Sequence, residues 1–502
     1  MIEALCSIFQ IEVLVPWILA MILGIFVGGV PGLTATMAVA LIVPLTYHMQ
    51  PIAGLAMIIG VSFTSIFAGD IPATFLRVPG TPASGTAVLD GYVLTHKGKG
   101  GLAIALDLFC STIGGILGIL ILIFISPLLA NFALQFTHYE YFWLGVLGLS
   151  MSTVISKGSN TKGFFSMGIG VLLSTIGIDL VTGYPRFTFH NSELMGGISF
   201  IPVMIGLFGV SEVLNQVITK KDITFSMKNA DISDKTHFSI VEVFKEIKKH
   251  FLLIVKSSVI GNLIGALPGA GADVAAWVSY GVAKKTSKHP EEFGNGSIEG
   301  VIAPTSANNA AIGGSWIPAL VFGIPGDTIT SIVLGAMLMY GLKPGPLIFE
   351  QEMGLVNQIF AVGIVSQVFL IIIGFAGIKA YSYILKFQKN IINTAIIIFS
   401  IIGAFALRNN TFDIGIVIVF GLIGYFCEKG KIPLAPMILG LILGPMVEEN
   451  LRIGLVKTEG AFLPFLSRPI SLVLFLIIVL MFGLTPIKKL IKKLFKANKE
   501  KM

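Results

Sequence analysis

Apolar runs of spanning length alternate with short polar turns along most of this chain. Segments 13–31, 354–378 and 469–487 carry no Asp, Glu, Lys or Arg, and each meets the roughly 17–25 residues that a membrane-spanning helix needs. Further apolar runs lie at about 52–69, 102–136, 141–155, 164–178, 198–218, 328–349, 391–407, 411–427 and 433–447. Pro127 is expected to break the 102–136 run into a helix and an additional segment. The 33–45 run is too short to span. It reads as half a helix or the return arm of a re-entrant hairpin. The pattern predicts an all-α polytopic membrane protein.

Composition agrees. The chain is 54% hydrophobic and 12% charged, with mean hydropathy +0.89, whereas a soluble domain carries about twice that charge. The net charge of +7 sits mostly in loops and tail, so it reports orientation in the bilayer rather than nucleic-acid binding. Cys6, Cys110 and Cys427 share no metal-ligand spacing and imply no disulfide framework. No basic stretch precedes the first apolar run, so no cleavable leader is expected. The seven histidines form no H-E-x-x-H pair, and no Ser–His or paired-Asp signature argues for an intramembrane enzyme.

Prolines and glycines punctuate the runs in a repeated order. Pro72-Ala73 and Pro79-Gly80 recur as Pro318-Ala319 and Pro325-Gly326 at the same spacing, and each pair is preceded by another Pro-Gly, Pro31-Gly32 or Pro268-Gly269. The order implies a duplication: a first repeat over 1–218, a polar linker over 219–250, a second repeat over 251–455, and a final helix with a basic tail over 456–502. The Lys-rich linker and tail belong in the cytoplasm, and the acidic N-terminus outside. The first repeat then crosses an odd number of times, and the two halves are expected to be inverted relative to each other. Inverted repeats with broken helices characterise secondary transporters, whose site lies at the repeat interface.

A helix that ends within the membrane leaves backbone groups unpaired unless protein, water or ligand satisfies them. Its N-terminal N–H groups and dipole favour an anion. The candidate site is therefore a carboxylate held between tips at Pro31, Gly32, Pro79, Gly80, Pro268, Gly269, Pro325 and Gly326. Thr34, Thr36, Thr81 and Thr328 add hydroxyls, and Asn308 and Asn309 add amides. Asp70, Arg77, Asp90 and Asp327 are candidates for ion coupling or charge pairing, because intramembrane charges generally face the protein interior. Asp70 and Arg77 share a helix face but are too far apart to touch without a break. Moving one charge across the membrane costs ~2.3 kcal/mol per 100 mV, so import of a multivalent anion requires a co-transported Na⁺ or H⁺. No other cofactor and no metal site is implied. A passive anion channel is the alternative from another class.

The stretch Phe293-Gly294-Asn295-Gly296-Ser297-Ile298-Glu299-Gly300 through Ala303-Pro304-Thr305-Ser306-Ala307-Asn308-Asn309 resembles the large membrane subunit of tripartite tricarboxylate transporters, the TctA family. Gly29-Val30-Pro31-Gly32, Pro79-Gly80-Thr81-Pro82-Ala83, Leu89-Asp90-Gly91-Tyr92, Gly323-Ile324-Pro325-Gly326 and Gly341-Leu342-Lys343-Pro344-Gly345-Pro346 do so too. The resemblance runs in order from about 13 to 470. It implies an ion-coupled importer of tri- or dicarboxylates in a bacterial-type inner membrane. It also implies two partners, a small membrane subunit and an extracytoplasmic solute-binding protein. Thr305 stands where the family usually has Glu, and Asp70 where a small residue is usual.

Overall fold

The computed structural model describes residues 2–31, 33–155, 159–179, 182–219, 238–384 and 389–482. Gly32, most of the 219–250 linker and the basic tail lie outside the described residues. Among those described, six helices are long and apolar enough to cross a membrane: Ile11–Gly29, Pro51–Leu76, Gly100–Ala133, Phe200–Ile218, Met353–Tyr381 and Thr411–Lys429. The protein is an all-α polytopic membrane protein. Its one described sheet is a two-residue antiparallel hairpin pairing Gly177 with Arg186 and Ile178 with Pro185.

Burial is arranged for lipid. Phe124, Leu128, Ile372, Ile402 and Val419 are exposed on the outer helices, where lipid tails cost them nothing. The centre holds two helices buried along nearly all their length, Pro51–Leu76 and Ile298–Phe322. Both contain alanine, glycine, serine and threonine throughout, so neighbouring backbones approach closely. Such small-residue contacts drive helix association in membranes, where apolar burial gives no net gain.

The repeated motif corresponds to repeated structure. In the first half, helix Ile11–Gly29 breaks after Val30 and resumes as helix Ala35–Thr46. In the second, helix Phe251–Gly265 breaks and resumes as helix Gly271–Thr286. Each first arm lies on a central helix through a G-x-x-x-G pair. A Cβ on Gly24 or Gly28 would stand 3.0 Å from the carbonyl of Val61 or 2.2 Å from that of Ser65. The counterparts Gly261 and Gly265 meet the carbonyls of Ala307 and Ala311, at 2.2 and 2.1 Å. These are equivalent positions throughout, so the two halves share one internal packing scheme.

The structure differs from the expected break at Pro127. Helix Gly100–Ala133 runs unbroken through Pro127, and helix Ile298–Phe322 through Pro304 and Pro318. In a dry environment an unwound turn exposes several unpaired groups, whereas an internal proline removes one ladder N–H. Pro31 and the pairs Pro79-Gly80, Pro268-Gly269 and Pro325-Gly326 lie in the breaks after helix C-termini. Residues 205–210 form a π segment inside the last long helix of the first half.

Candidate functional site

Both central helices end in the same way. Arg77 (φ 61°) and Gly323 (φ 67°) are left-handed caps, and the next N–H in each case returns to a proline carbonyl: Val78 to Pro72 at 3.3 Å, Ile324 to Pro318 at 3.2 Å. The left-handed cap satisfies carbonyls that the helix end leaves free. The chain then turns through Pro79-Gly80 or Pro325-Gly326. Gly80 donates to the Gly69 carbonyl at 3.1 Å, and Gly269 donates to the Gly326 carbonyl at 2.8 Å. Gly80 also lies against the Gly28 carbonyl at the end of the first arm, so Pro79-Gly80 packs beside the first helix break, and Pro325-Gly326 beside the second.

The halves then cross. Thr36, in the first turn of helix Ala35–Thr46, shares a hydrogen bond of 2.9 Å with Thr328, which opens helix Thr328–Met339. Reciprocally, Asp273, in the first turn of helix Gly271–Thr286, accepts from the Ala83 N–H at 3.0 Å. Trp277 of the same helix donates to the Pro82 carbonyl at 3.3 Å. Asp327 lies against Gly271, where a Cβ would stand 2.8 Å from its own. Helix N-termini from both halves therefore meet along one seam. Thr34, Thr36, Pro268, Gly269, Asp273, Asp327 and Thr328 are only half-buried there.

A buried polar chain leads inward from this seam. The Thr81 and Ser84 hydroxyls lie 2.7 Å apart, and Ser84 lies beside Asp70. Asn308 donates to Asp70 Oδ2 at 3.4 Å. Asp107, on helix Gly100–Ala133, contacts Asp70 and accepts from Thr305 at 3.4 Å. Asp70 and Asp107 are 2% and 1% exposed. Asp70 Oδ1, Asp107 Oδ1, Asn308 Oδ1 and both amide atoms of Asn309 have no protein hydrogen-bond partner.

The other candidates fall elsewhere. Arg77 is exposed and stacks over Tyr92 at 5.6 Å; helix Pro51–Leu76 runs unbroken from Asp70 to this cap, so the two do not come together. Asp90 is a clamp: Oδ1 accepts from the N–H groups of Gly294, Gly296 and Ser297 at 2.8–2.9 Å, and Oδ2 from the Tyr280 hydroxyl at 2.9 Å. Asp327 forms a capping box with Thr330. Pro31 is buried at its break, and Gly32 lies outside the described residues. Asp107, Ser84 and Asp273 were not among the sequence candidates. A lone carboxylate inside the 102–136 apolar run was the available signal for Asp107.

A separate cleft of about 240 Å³ lies between the short hairpin and helix Ala435–Lys457. Four of its charged side chains pair with one another. Arg186 holds Glu448 through two hydrogen bonds of 2.5 and 3.1 Å, and Arg452 bridges Glu448 and Asp179 at 3.1 and 2.7 Å. The Glu448 carboxylate raises the Arg186 guanidinium above its ordinary value.

Six spanning-length helices, breaks within the apolar region and helix tips that meet belong to a multi-pass membrane protein. The chain belongs to the tripartite tricarboxylate transporter TctA family, whose model matches residues 14–439. It is similar to a protein of Agrobacterium vitis described as an uncharacterized 52.8 kDa protein in the TAR-I ttuC' 3' region, at 34% identity over 450 residues, 90% of this chain and 88% of that one. An uncharacterized protein in the TAR-II ttuC' 3' region of Agrobacterium vitis is 38% identical over 211 residues, 42% of this chain and 87% of that one. No solved structure matches.

Proposed function

We propose that this protein is the large membrane subunit of a binding-protein-dependent system that imports a small tri- or dicarboxylate, driven by a co-transported cation. The observation that carries the reading is the seam, where helix N-termini from both halves meet around Thr36, Thr328, Asp273 and Ala83. Such ends carry a positive dipole that favours an anion; the Ala83 and Thr330 N–H groups are taken by the Asp273 and Asp327 carboxylates, so the substrate carboxylate meets the remaining first-turn N–H groups and hydroxyls. Pro79-Gly80, Pro325-Gly326 and the hydroxyls of Thr34, Thr36, Thr81 and Thr328 frame the carboxylate, with Asn308 and Asn309 deeper. The partners of this reading are a small membrane subunit and an extracytoplasmic solute-binding protein. The membrane is a bacterial-type inner membrane.

In this reading the halves are inverted, with the N-terminus outside and the C-terminus cytoplasmic. Matched internal contacts in two successive segments support a duplication, and a pseudo-two-fold relation would bring both pairs of tips to one depth. An epitope inserted at position 230 is expected to be reached only from the cytoplasm.

The deciding experiment is uptake of labelled citrate and smaller dicarboxylates into proteoliposomes under inward Na⁺ or H⁺ gradients, with and without a cognate binding protein. Saturable, gradient-driven uptake supports the proposal. Non-saturable flux that follows the substrate gradient alone would identify a passive anion channel instead.

A further inference from the structure

Asp70 and Asp107 contact each other between helices Pro51–Leu76, Gly100–Ala133 and Ile298–Phe322. Two carboxylates in contact and out of water cannot both stay ionised without a compensating positive charge. The titratable groups that interact with the pair are the two acids themselves and the Cys110 thiol. Asp90, on the adjoining helix Ala87–His96, is already engaged by Tyr280 and the 294–297 turn. No lysine, arginine or histidine among the described residues is in an ion pair with either acid.

The surroundings are rich in oxygen. Thr305 donates to Asp107 at 3.4 Å, the Ser84 hydroxyl lies beside Asp70, and the buried Ser111 hydroxyl beside Asp107 has no protein partner. Asn308 turns its amide N–H toward Asp70, so its Oδ1 remains an unpartnered acceptor, as do Asp70 Oδ1 and Asp107 Oδ1. The pair thus lacks a compensating positive charge. Leaving buried acceptors unpaired costs about 1–3 kcal/mol each, so the arrangement is sustained by something that binds several oxygens or protonates them.

We propose that Asp70 and Asp107, with Asn308 and Thr305, form a site for a small hard monovalent cation, Na⁺ or H⁺. Its position is functionally apt: the Thr81–Ser84 hydroxyl pair connects it to the seam where the two halves cross. Filling it with one cation cancels one of the two carboxylate charges and fixes the three central helices together, so cation occupancy sets the position of the Pro79-Gly80 tip. The role as the coupling site rests on the transporter reading; cation binding does not.

The test therefore uses no transport substrate. The purified full-length chain in detergent is unfolded thermally in NaCl against choline chloride at fixed ionic strength and pH, and in choline chloride across pH 5 to 8. Anything that binds the native state alone raises Tm by mass action. A Na⁺-dependent rise identifies sodium, and a rise on acidification that depends on the pair identifies the proton. Either is expected to be lost in Asp107→Asn, while Glu291→Gln, on an exposed turn, keeps the wild-type response. Should Asp107→Asn fail to fold, Thr305→Val is expected to fold and to raise the cation concentration at half-maximal shift several-fold. A Na⁺ or pH response unchanged in both pair variants, or a response to Mg²⁺ or Ca²⁺ alone, overturns the proposal. A retained shift without uptake leaves the site standing and removes the transporter reading.

Discussion

Gly80 sits on the carbonyl of Gly28, where a Cβ would stand 2.6 Å from that oxygen. Gly326 sits on the carbonyl of the equivalent Gly265, at 2.5 Å. In both halves the tip after the central helix is thus held against the break in the preceding hairpin by backbone alone. Neither contact can yield by a rotamer change. Gly80→Ala and Gly326→Ala are each expected to destabilise the chain by about 2–3 kcal/mol, at the upper end of overpacking costs, read as a loss of Tm in detergent. A drop in one half only would mean that the two tips are not mechanically equivalent.

The matched breaks were legible because Pro and Gly are local punctuation whose spacing survives in sequence. The spanning pattern was legible because apolar runs need only length. What prolines do in each helix was not. Pro127 and Pro318 lie within continuous helices because the packing around them, which sequence does not display, makes unwinding costlier than one lost hydrogen bond. The site was half legible for a similar reason. Asp70 and Asn308 stood out inside apolar motifs, and they do meet. Asp107 belongs to a third helix far away in the chain, and only the packing of Gly114 and Gly118 against the Ser306 and Ala310 carbonyls brings that helix to them. Asp90 and Asp327 looked equally chemical in sequence, yet their oxygens are engaged by neighbouring N–H and O–H groups.

The Asp90 clamp gives a prediction that separates fold from transport. Three backbone N–H groups and the Tyr280 hydroxyl converge on this carboxylate. Asp90→Ala leaves those donors unpaired and is expected to cost at least about 2 kcal/mol. Tyr280→Phe removes a single bond and should cost about 1–2 kcal/mol. Thermal unfolding measures both. The fraction of Asp90→Ala that folds is expected to keep the wild-type cation dependence of uptake; loss of that dependence would assign Asp90 to coupling.

The Thr36–Thr328 contact ties the first turns of two helices from opposite halves across a half-buried seam. Thr328→Val keeps the shape and removes the hydroxyl. With a carboxylate bound at the seam, the variant is expected to raise KM for uptake about five- to ten-fold, the loss of about 1–1.5 kcal/mol for one hydrogen bond, with little change in Tm. An equal fall in kcat and unchanged KM would instead place the hydroxyl contact in the moving step.

His250 provides the pH dependence most open to test. It joins helix Ile240–Lys249 to helix Phe251–Gly265 and lies 3.4 Å from Glu246 and 3.5 Å from Glu299. Burial lowers its pKa below the ordinary 6.5, against the opposing pull of Glu299. The unfolded chain therefore takes up the proton first as pH falls. The stabilising contribution of the neutral ring is complete above pH 6.5 and is lost as pH drops through the lower native value. His250→Gln has no such group to titrate, so its Tm is expected to fall less than that of wild type between pH 7 and 5. A wild-type Tm that falls no more than the variant's would show that the two glutamates outweigh burial and that the ring is protonated in the fold.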